Sequence, residues 1–295
     1  MNIVMTGATA GIGAEALKHF TNLQNTKIYV GARGTGRALP ERTEIISLDL
    51  SSLKSVRFFS DKVKESLGQD KIDVLILNAG IQATDNQLRS EEGFELTFAT
   101  NHLAHYLLVR LLEPNLAKGG RVVVTTSDAH DPDVIPFGPK TLNIGDLAYP
   151  TETSPKGMAF YAATKLLNML TARALLTKLE ADKHIRVVAY NPGLTGDTSL
   201  MGKQSAFLQM IVSAIRPLFY VISIFKPAFF MGTAKRSGEA LAELALGKVA
   251  LPDGKIYASL VRGKLTFPDP SQLAQNDAII DLLWKESAKM VGLPE

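Results

Sequence analysis

Short apolar runs recur along the chain, and most neighbouring runs are far enough apart to hold a helix between them. The runs are rich in Val, Ile and Leu and alternate little with polar residues, which is typical of strands buried on both faces of a sheet. We predict strands at Ile3–Met5, Lys27–Val30, Glu44–Leu48, Asp73–Leu77, Arg121–Thr125, Ile185–Tyr190 and Ile256–Ala258. The pattern therefore indicates a sheet that other elements cover on both sides.

The segments between these runs have helical character. We predict helices at Ala14–Leu23, Ser52–Leu67, Phe94–Leu116, Phe160–Leu179 and Gly238–Leu246. Strands that alternate with helices favour a parallel sheet, and the right-handed crossover rule then favours a doubly wound arrangement. Because no internal repeat or low-complexity linker divides the chain, we predict one α/β domain over residues 1–295.

Two segments interrupt this alternation. Residues 128–155 are rich in Pro, Gly and Asp, and we predict a long loop insertion there. Residues 199–231 are strongly apolar but are broken by Arg216-Pro217 and Lys226-Pro227. Insertions of this length in a compact fold usually serve a function.

Composition and charge narrow the class of protein. The 295 residues are 46% apolar and 21% charged, which is an ordinary globular balance that excludes a disordered chain. A net charge of only +3 argues against general nucleic-acid binding. Because there is no cysteine, disulfides, zinc–thiolate sites and thiol nucleophiles are excluded. We also predict no metal site. The N-terminus shows no targeting signal, so we expect a cytoplasmic protein.

Glycines cluster where the first predicted strand ends and the first helix begins. Residues 6–13 have the spacing G-x-x-x-G-x-G. Glycine permits a tight turn and close backbone approach, and the free N–H groups at a helix start bind phosphate. A plain tight turn is the alternative, but the position in the first βα turn favours a nucleotide site. Its expected contacts are Thr6, Gly7, Gly11, Ile12 and Gly13.

The end of the second strand carries arginine, whereas an acidic residue is expected there when a cofactor's free 2′-hydroxyl is bound. Arg33 stands at the strand end, Arg37 follows it, and no acidic residue occurs between Arg33 and Glu41. A guanidinium matches a 2′-phosphate in charge and in its fork of donors. We therefore expect NADP(H) as the cofactor, the alternative being that Arg33 is a solvated surface residue.

Candidate ligand-binding residues also follow the third and fourth strands. Asp49-Leu50 follows the third and Asn78-Ala79-Gly80 follows the fourth. In open α/β sheets, ligands bind at the carboxyl ends of the strands. Asp49 could accept a hydrogen bond from an adenine amino group or cap the helix that begins near Ser52, and both interpretations stay open.

A phenol and an ammonium lie four residues apart in a predicted helix. Tyr161 and Lys165 therefore share one helix face. A neighbouring ammonium favours phenolate and lowers a tyrosine pKa from its usual value of about 10. Such a tyrosine can act as a general acid when a carbonyl is reduced and as a base when an alcohol is oxidised. The Y-x-x-x-K spacing alone also occurs by chance.

Taken together, these features resemble the short-chain dehydrogenase/reductase family over essentially the whole chain. The matching residues, in the family's order, are Thr6–Gly13, Asn78-Ala79-Gly80, Asn101, Ser127, Tyr161, Lys165 and Pro192-Gly193. Residues 92–95, 100–106, 282–284 and 291–293 look most like the branch that holds retinol dehydrogenases and light-dependent protochlorophyllide reductases. The resemblance implies a Rossmann fold and an NADP-dependent oxidoreductase.

The resemblance also implies a role for each catalytic position. Tyr161 matches the acid/base tyrosine, and Lys165 matches the lysine that binds the nicotinamide ribose and lowers the tyrosine pKa. Ser127 matches the serine that orients and polarises the substrate carbonyl. Asn101 matches the asparagine that holds a water in the proton relay.

For the cofactor, the family pattern implies a second set of contacts. Gly7, Gly11 and Gly13 match the pyrophosphate turn, and Asn78 matches the residue that steadies the central sheet. The Pro192-Gly193 turn and the hydroxyl of Thr195 or Thr198 are expected to face the nicotinamide carboxamide.

The sequence departs from the family pattern in two respects. Ser127 and Tyr161 are 34 positions apart, more than in short members, because of the 128–155 insertion. That insertion is expected either to rim the active site or to cover a helix used for oligomerisation. His130 lies close to the serine, but we interpret it as a loop residue rather than a second base. The absence of cysteine argues against protochlorophyllide reduction, which is associated with a cysteine proton donor.

Three interpretations of residues 199–231 stay open. The segment is a lid over the substrate, a basic and apolar membrane-surface element, or a packing or homo-oligomer contact. Its apolar runs are too short to span a bilayer, which needs about 20 residues. The first two interpretations imply a hydrophobic small-molecule substrate.

Three functions are compatible with these residues. The first is NADP-dependent hydride transfer between nicotinamide and a carbonyl or alcohol. The second is C=C reduction or epimerisation on the same fold, and the third is NADP binding without turnover. The full set Asn101, Ser127, Tyr161 and Lys165 favours catalysis, because a pure binder has no need of a proton relay.

Overall fold

Eight strands form one sheet in this computed structural model, which describes residues 1–34, 40, 42–83, 85–179, 181–196, 223 and 226–295. The strands are β1 (Asn2–Thr6), β2 (Lys27–Ala32), β3 (Thr43–Ser47), β4 (Ile72–Leu77), β5 (Leu116–Thr125), β6 (Arg186–Asn191), β7 (Tyr257–Val261) and β8 (Lys264–Thr266). Their order is β3-β2-β1-β4-β5-β6-β7-β8, and only the β7–β8 pair is antiparallel. The strand order reverses between β1 and β4, so ligands are expected at the carboxyl ends of these strands.

Helices cover both faces of this sheet. They are α1 (Gly11–Thr21), α2 (Leu53–Leu67), α3 (Leu96–Phe98), α4 (Ala104–Leu112), α5 (Ile144–Ala148), α6 (Gly157–Lys178), α7 (Ala234–Ala245) and α8 (Asp277–Met290). Apolar side chains of α2, α4, α6 and α8 pack on one face, and those of α1 and α7 pack on the other. The predicted single-domain, doubly wound α/β fold is therefore confirmed.

The predicted helix 94–116 differs from the helix in the structure. A π-helical segment, Ala99–Leu103, joins α3 to α4, and α4 ends at Leu112. A 3₁₀ turn at Glu113–Asn115 follows, because Pro114 has no N–H to continue the helix. Strand β5 then begins at Leu116, well before the predicted start at Arg121.

The prediction of a loop throughout residues 128–155 is wrong in part. Asp128–His130 forms a 3₁₀ turn, and α5 lies within the segment. The Asn143 side chain caps α5 by accepting from the N–H of Asp146 at 3.2 Å. Ile144, Leu147 and Ala148 are buried in the main core, so the helix forms because it covers apolar surface.

Most of the 199–231 segment, namely residues 199–222, 224 and 225, lies outside the described residues. The residues on either side of it are adjacent in space, because Thr195 and Gly232 form a parallel bridge. The N–H of Gly232 also donates to the Leu194 carbonyl at 2.8 Å. Among the helices of the described residues, none is both long enough and apolar enough to cross a membrane.

Candidate active site

The carboxyl ends of β1, β4 and β5 are tied together by one side chain. The Asn78 Nδ2 group donates to the Gly7 carbonyl at 3.2 Å, and its Oδ1 accepts from the Thr125 hydroxyl at 3.1 Å. Thr6 Oγ1 also accepts from the backbone N–H groups of Asn78 and Ala79, at 3.0 and 3.1 Å. Asn78 therefore holds the carboxyl ends of these three strands together at the predicted ligand site.

The glycine turn is closely packed against Asn78 and Ala79. Gly7 has φ +69° and Gly11 has φ +54°, values that favour glycine. A Cβ on Gly13 would lie 1.9 Å from the Gly7 carbonyl oxygen, so no side chain fits there. Ala10 precedes α1 without a side-chain cap, and the first turn contains no acidic residue. The N–H groups at the start of α1 can therefore bind an anion.

Arg33 lies directly after β2 and is exposed. It makes no hydrogen bond or ion pair with the described residues, so its guanidinium is available to a ligand. The second predicted arginine, Arg37, lies outside the described residues.

The Asp49 carboxylate takes part in the turn that precedes α2. Its Oδ1 accepts from the backbone N–H and the hydroxyl of Ser51, at 2.9 and 2.7 Å. The cap of α2 itself is Ser52, whose hydroxyl accepts from the N–H of Ser55. Asp49 therefore stabilises the turn through one oxygen, beside the half-buried Leu50.

Tyr161 and Lys165 lie together on the buried face of α6. Their side chains are 8% and 3% exposed, and the Lys165 ammonium lies 5.5 Å from the Tyr161 ring centre. Lys165 Nζ donates to the Thr125 carbonyl at 3.4 Å, and Thr126 Oγ1 donates to the Lys165 carbonyl at 2.8 Å. These contacts hold α6 against the end of β5.

Burial controls the charge of both groups. It lowers the pKa of Lys165 to about 8, because the ammonium loses its hydration. Burial also raises the pKa of Tyr161, and the Asp128 carboxylate raises it further. The expected lowering of the tyrosine pKa is therefore wrong, since burial and the Asp128 carboxylate raise it.

Ser127 follows β5 at the same edge of the sheet. Its hydroxyl accepts from the N–H of Ala129 at 3.2 Å and so caps the 3₁₀ turn. Ala129 packs against Tyr161 and Ala162 of α6. The turn after the serine therefore contacts the helix that carries the tyrosine.

Asn101 is fully buried in the π-helical segment. Its Oδ1 accepts from the N–H of Ile81 at 2.8 Å, and its Nδ2 donates to the Ile81 carbonyl and to Thr164 Oγ1, at 2.9 and 3.1 Å. A Cβ on Gly80 would lie 3.4 Å from both Asn101 Oδ1 and Lys165 Nζ. The fold thus brings Gly80, Asn101 and Lys165 to one place.

The Pro192-Gly193 turn is stabilised by its own neighbours. Gly193 has φ +68°, and a Cβ there would lie 2.5 Å from the Leu260 carbonyl oxygen. Thr195 Oγ1 lies 3.2 and 3.1 Å from the carbonyl oxygens of Pro192 and Gly193, and 3.0 Å from Ser237 Oγ. The Thr195 hydroxyl therefore supports the turn, while Thr198 lies outside the described residues.

His130 has both ring nitrogens in structural hydrogen bonds. Nδ1 lies 2.6 Å from the Ser127 carbonyl, and Nε2 lies 3.3 Å from the N–H of Ser271. The ring also meets Tyr257 edge-on, with the centroids 5.2 Å apart. These contacts hold the turn after Ser127 in place and leave no ring nitrogen for proton transfer.

A cavity of about 430 Å³ is lined by Asp128, the residue after Ser127, although neither Ser127 nor Tyr161 lines it. Its acidic character was not predicted from the sequence. Its lining includes Asp128, Asp131, Asp133, Lys226, Tyr257 and Asp269. Burial raises the pKa of the Asp128 carboxyl to about 6. The sequence signals for it are the aspartate directly after Ser127 and the Asp-rich composition of residues 128–155. In the described part of the chain, no group of three or more His, Asp and Glu side chains could hold a metal ion.

Comparison with known proteins gives consistent matches. A family model described as short chain dehydrogenase matches residues 1–136. Short-chain dehydrogenase TIC 32 B, chloroplastic, of Brassica napus is 30% identical over 99% of this chain and 88% of its own length. Retinol dehydrogenase 13 of Homo sapiens is 28% identical over 99% and 84%, and protochlorophyllide reductase of Avena sativa is 27% identical over 99% of each chain.

Solved structures show the same fold. A putative uncharacterized protein from Mycobacterium paratuberculosis has a TM-score of 0.70 and 25% identity, covering 99% of this chain and 93% of its own. A short chain dehydrogenase from Burkholderia cenocepacia, in complex with NADP, has a TM-score of 0.55 and 22% identity, covering 82% and 89%.

Proposed function

Since the chain belongs to the short-chain dehydrogenase/reductase family, we propose that it is an NADP-dependent oxidoreductase that interconverts a carbonyl and an alcohol on a hydrophobic small molecule. The observation that carries the proposal is the meeting of Tyr161, Lys165 and Asn101 at the end of β5, where Ser127 lies. These groups can bind a carbonyl oxygen and move one proton to it.

The residues present fit a dinucleotide. The uncapped start of α1 offers N–H groups to a pyrophosphate. The Lys165 ammonium is buried, yet among the described residues its one hydrogen bond is the long one to Thr125. A buried ammonium with spare donors suits the hydroxyls of a ribose. When bound, the nicotinamide supplies or accepts the hydride.

Two groups of the chain act on the substrate oxygen. Ser127 donates a hydrogen bond to the carbonyl and orients it, which requires its hydroxyl to turn its proton towards the substrate. Tyr161 gives its proton to the same oxygen as the carbonyl is reduced, and takes a proton back when the alcohol is oxidised. Lys165 lies beside the Tyr161 ring, and Asn101 and Lys165 both lie next to Gly80, so we propose that they support the tyrosine.

The preference for NADP(H) over NAD(H) rests on Arg33. Its exposed guanidinium at the end of β2 is where the 2′ position of an adenosine ribose lies in this fold type. A phosphate there forms charge-assisted hydrogen bonds with arginine, whereas a free hydroxyl gains little.

The proposed hydrophobic substrate rests on the composition of residues 199–231. This segment contains many large apolar residues and no acidic one. Thr195 and Gly232, which lie on either side of it in the chain, form a bridge directly after the Pro192-Gly193 turn. We propose that it forms a lid on the substrate pocket.

The test is turnover by Tyr161→Phe across a panel of aldehydes, ketones, steroids and retinoids, followed by NADPH absorbance. We expect the loss of the general acid to lower kcat by about 10²–10⁴-fold. NADPH binding, measured by fluorescence, should stay close to wild type. The control is Tyr149→Phe, because Tyr149 is 56% exposed and lies outside the site. Unchanged kcat in Tyr161→Phe would contradict the mechanism, and products reduced at C=C would favour the alternative reaction.

A further inference from the structure

His105 is a buried histidine that connects two parts of the site. It lies on α4, next to the π-helical segment, and is 2% exposed. Its Nε2 lies 2.9 Å from Thr6 Oγ1, at the end of β1. Its Nδ1 lies 3.2 Å from the backbone carbonyl of Asn101. One imidazole ring therefore connects Thr6, at the start of the glycine turn, with Asn101.

The hydrogen bonds at Thr6 determine which nitrogen of His105 carries the proton. Thr6 Oγ1 already accepts from two backbone N–H groups, those of Asn78 and Ala79. A hydroxyl has two lone pairs and one proton, so the Thr6 proton must be donated elsewhere. His105 Nε2 at 2.9 Å is a closer acceptor than the Ile76 carbonyl at 3.5 Å. Nε2 is therefore the unprotonated nitrogen.

The remaining proton of the ring then points at Asn101. With Nε2 accepting, Nδ1 carries the hydrogen and donates it to the Asn101 carbonyl. Burial lowers the pKa of His105 to about 4, so the ring is neutral near neutral pH. A neutral ring with one fixed tautomer makes a directed chain that runs from the Asn78 and Ala79 N–H groups through Thr6 and His105 to Asn101.

We propose that His105 is a positioning residue for the proton-transfer groups, an inference that rests on the proposed function. By fixing the Asn101 carbonyl, His105 holds the Asn101 side chain against Ile81 and against Thr164 of α6. The Thr164 hydroxyl in turn donates to the Tyr161 carbonyl at 2.7 Å. The ring thus couples the nucleotide-binding turn to the geometry of the acid/base tyrosine.

His102 provides a matched control. It lies three residues earlier, is 1% exposed and also has both nitrogens in contacts. Its partners are Ser287 Oγ at 2.8 Å and Thr171 Oγ1 at 3.4 Å, and Ser287 belongs to α8. Loss of the His102 ring therefore removes a comparable buried imidazole that makes no hydrogen bond to Thr6 or Asn101.

The first test reads the tautomer directly and does not depend on turnover. The chain has five histidines, so nitrogen-15 labelling of histidine gives a small set of signals, and His105→Gln assigns the relevant pair. At pH 7 we expect protonated Nδ1 and unprotonated Nε2 for His105. A ring protonated at Nε2, or at both nitrogens, would overturn the proposal.

The second test compares His105→Phe, His105→Gln and His102→Phe on a substrate that the wild type turns over. His105→Phe keeps ring volume but removes the donor and the acceptor, so we expect kcat to fall about tenfold or more. We also expect the pKa values of its kcat–pH profile to shift, while KM for NADPH stays within about twofold, since this substitution removes a positioning contact and no uniform binding. His105→Gln restores a donor and an acceptor and should recover most of the lost kcat.

Outcomes of the two tests separate the positioning role from a structural one. An unchanged kcat and pH profile in His105→Phe would overturn the proposal, as would an equal loss in His102→Phe. If His105→Phe does not fold, the tautomer of the wild type decides, and a kcat of His105→Gln far below that of the wild type would count against the proposal. A wild type that turns over no carbonyl contradicts the proposed function instead, and the tautomer measurement is unaffected by that result.

Discussion

The ammonium of Lys165 lies 5.5 Å from the centre of the Tyr161 ring, and both side chains are almost completely buried. Four-residue spacing on α6 brings them together, and packing against β5 removes water from both. Burial favours the neutral form of each group, so the pKa of the lysine falls and that of the tyrosine rises. Burial therefore penalises the charge of Lys165, while Tyr161 stays in its usual neutral form at pH 7.

A first prediction concerns the stability cost of the Lys165 charge. Its pKa is about 8 in the folded protein, below the ordinary value of 10.5, so the unfolded chain binds more protons between these two pH values. Stability should therefore rise with pH through this window. We expect Lys165→Met to be more stable than wild type at pH 7 by about 1–3 kcal/mol, with a smaller difference at pH 10.

The measurement is urea unfolding of Lys165→Met at both pH values. Lys156→Met serves as the control, because Lys156 is exposed at the start of the same helix. A variant less stable than wild type at pH 7, or a difference that does not vary with pH, would count against the unfavourable charge. Lys165→Met should lose turnover at both pH values.

A second prediction concerns cofactor choice. In Arg33→Asp the exposed guanidinium is replaced by a carboxylate that repels a 2′-phosphate and can bind a 2′-hydroxyl. We expect the Kd for NADPH to rise about 10–100-fold, while the Kd for NADH stays within about threefold. Fluorescence titration measures both. Arg186→Asp is the control, since Arg186 is exposed at the amino end of β6, far along the strand from the site edge. Equal losses for both cofactors would refute the role of Arg33.

A third prediction concerns the glycine turn. Ala at position 13 would place its Cβ 1.9 Å from the Gly7 carbonyl oxygen, and this backbone cannot yield without moving the turn. We expect Gly13→Ala to lower the free energy of unfolding by about 2–5 kcal/mol and to weaken NADPH binding. In Gly145→Ala the new Cβ would meet only Asn143 Oδ1 at 3.4 Å, so this helical variant should fold normally. Wild-type urea stability in Gly13→Ala would show that the turn is less tightly packed than described.

Much of the fold could be predicted because its signals are local. Apolar runs separated by helices indicate the parallel sheet, and six of the eight strands lie within a few residues of their predicted positions. Strand β8 and helix α8 were not predicted, because their burial depends on distant partners. Tyr106, for example, donates to the Trp284 carbonyl at 3.0 Å and contacts its ring edge-on.

The candidate site was predicted as a set of residues but not as an electrostatic environment. Spacing alone places Tyr161 and Lys165 on one face, whereas the direction of the Tyr161 pKa depends on burial and on Asp128. His105 carries no local signal for its role, because Thr6 is 99 positions away along the chain. Contacts of that kind exist only after the strands have assembled.

A fourth prediction concerns substrate charge. The cavity lined by Asp128, the residue after Ser127, has four carboxylates and one lysine in its described lining, and of these carboxylates only Asp269 forms an ion pair, with Lys255 at 2.6 Å. We propose that this cavity receives the substrate. Anionic substrates should therefore be disfavoured. Among benzaldehydes with a para carboxylate, isopropyl or trimethylammonium group, we expect kcat/KM for the anion to be about tenfold lower than for the neutral compound.

The variant that tests this charge effect is Asp131→Asn combined with Asp133→Asn. It should reduce the difference in kcat/KM between the anionic and the neutral aldehyde. Glu152→Gln is the control, because Glu152 is exposed and does not line the cavity. An anionic aldehyde that reacts as fast as the neutral one in the wild type would contradict the prediction.

The last prediction distinguishes a lid from a membrane-surface element at residues 199–231. Thr195 and Gly232 form a bridge. A Gly/Ser linker of about eight residues can therefore replace the segment while Thr195 and Gly232 stay paired. If the segment is a lid, we expect the replaced protein to keep its fold and NADPH affinity. Its kcat/KM for lipophilic aldehydes should fall about tenfold or more, because the apolar contacts are lost, with little change for acetaldehyde.

The alternative, a membrane-surface element, is tested by flotation of the intact protein and of the linker variant with anionic liposomes. Flotation of the intact protein alone, with equal kcat/KM values for the two proteins, would replace the lid by a membrane contact.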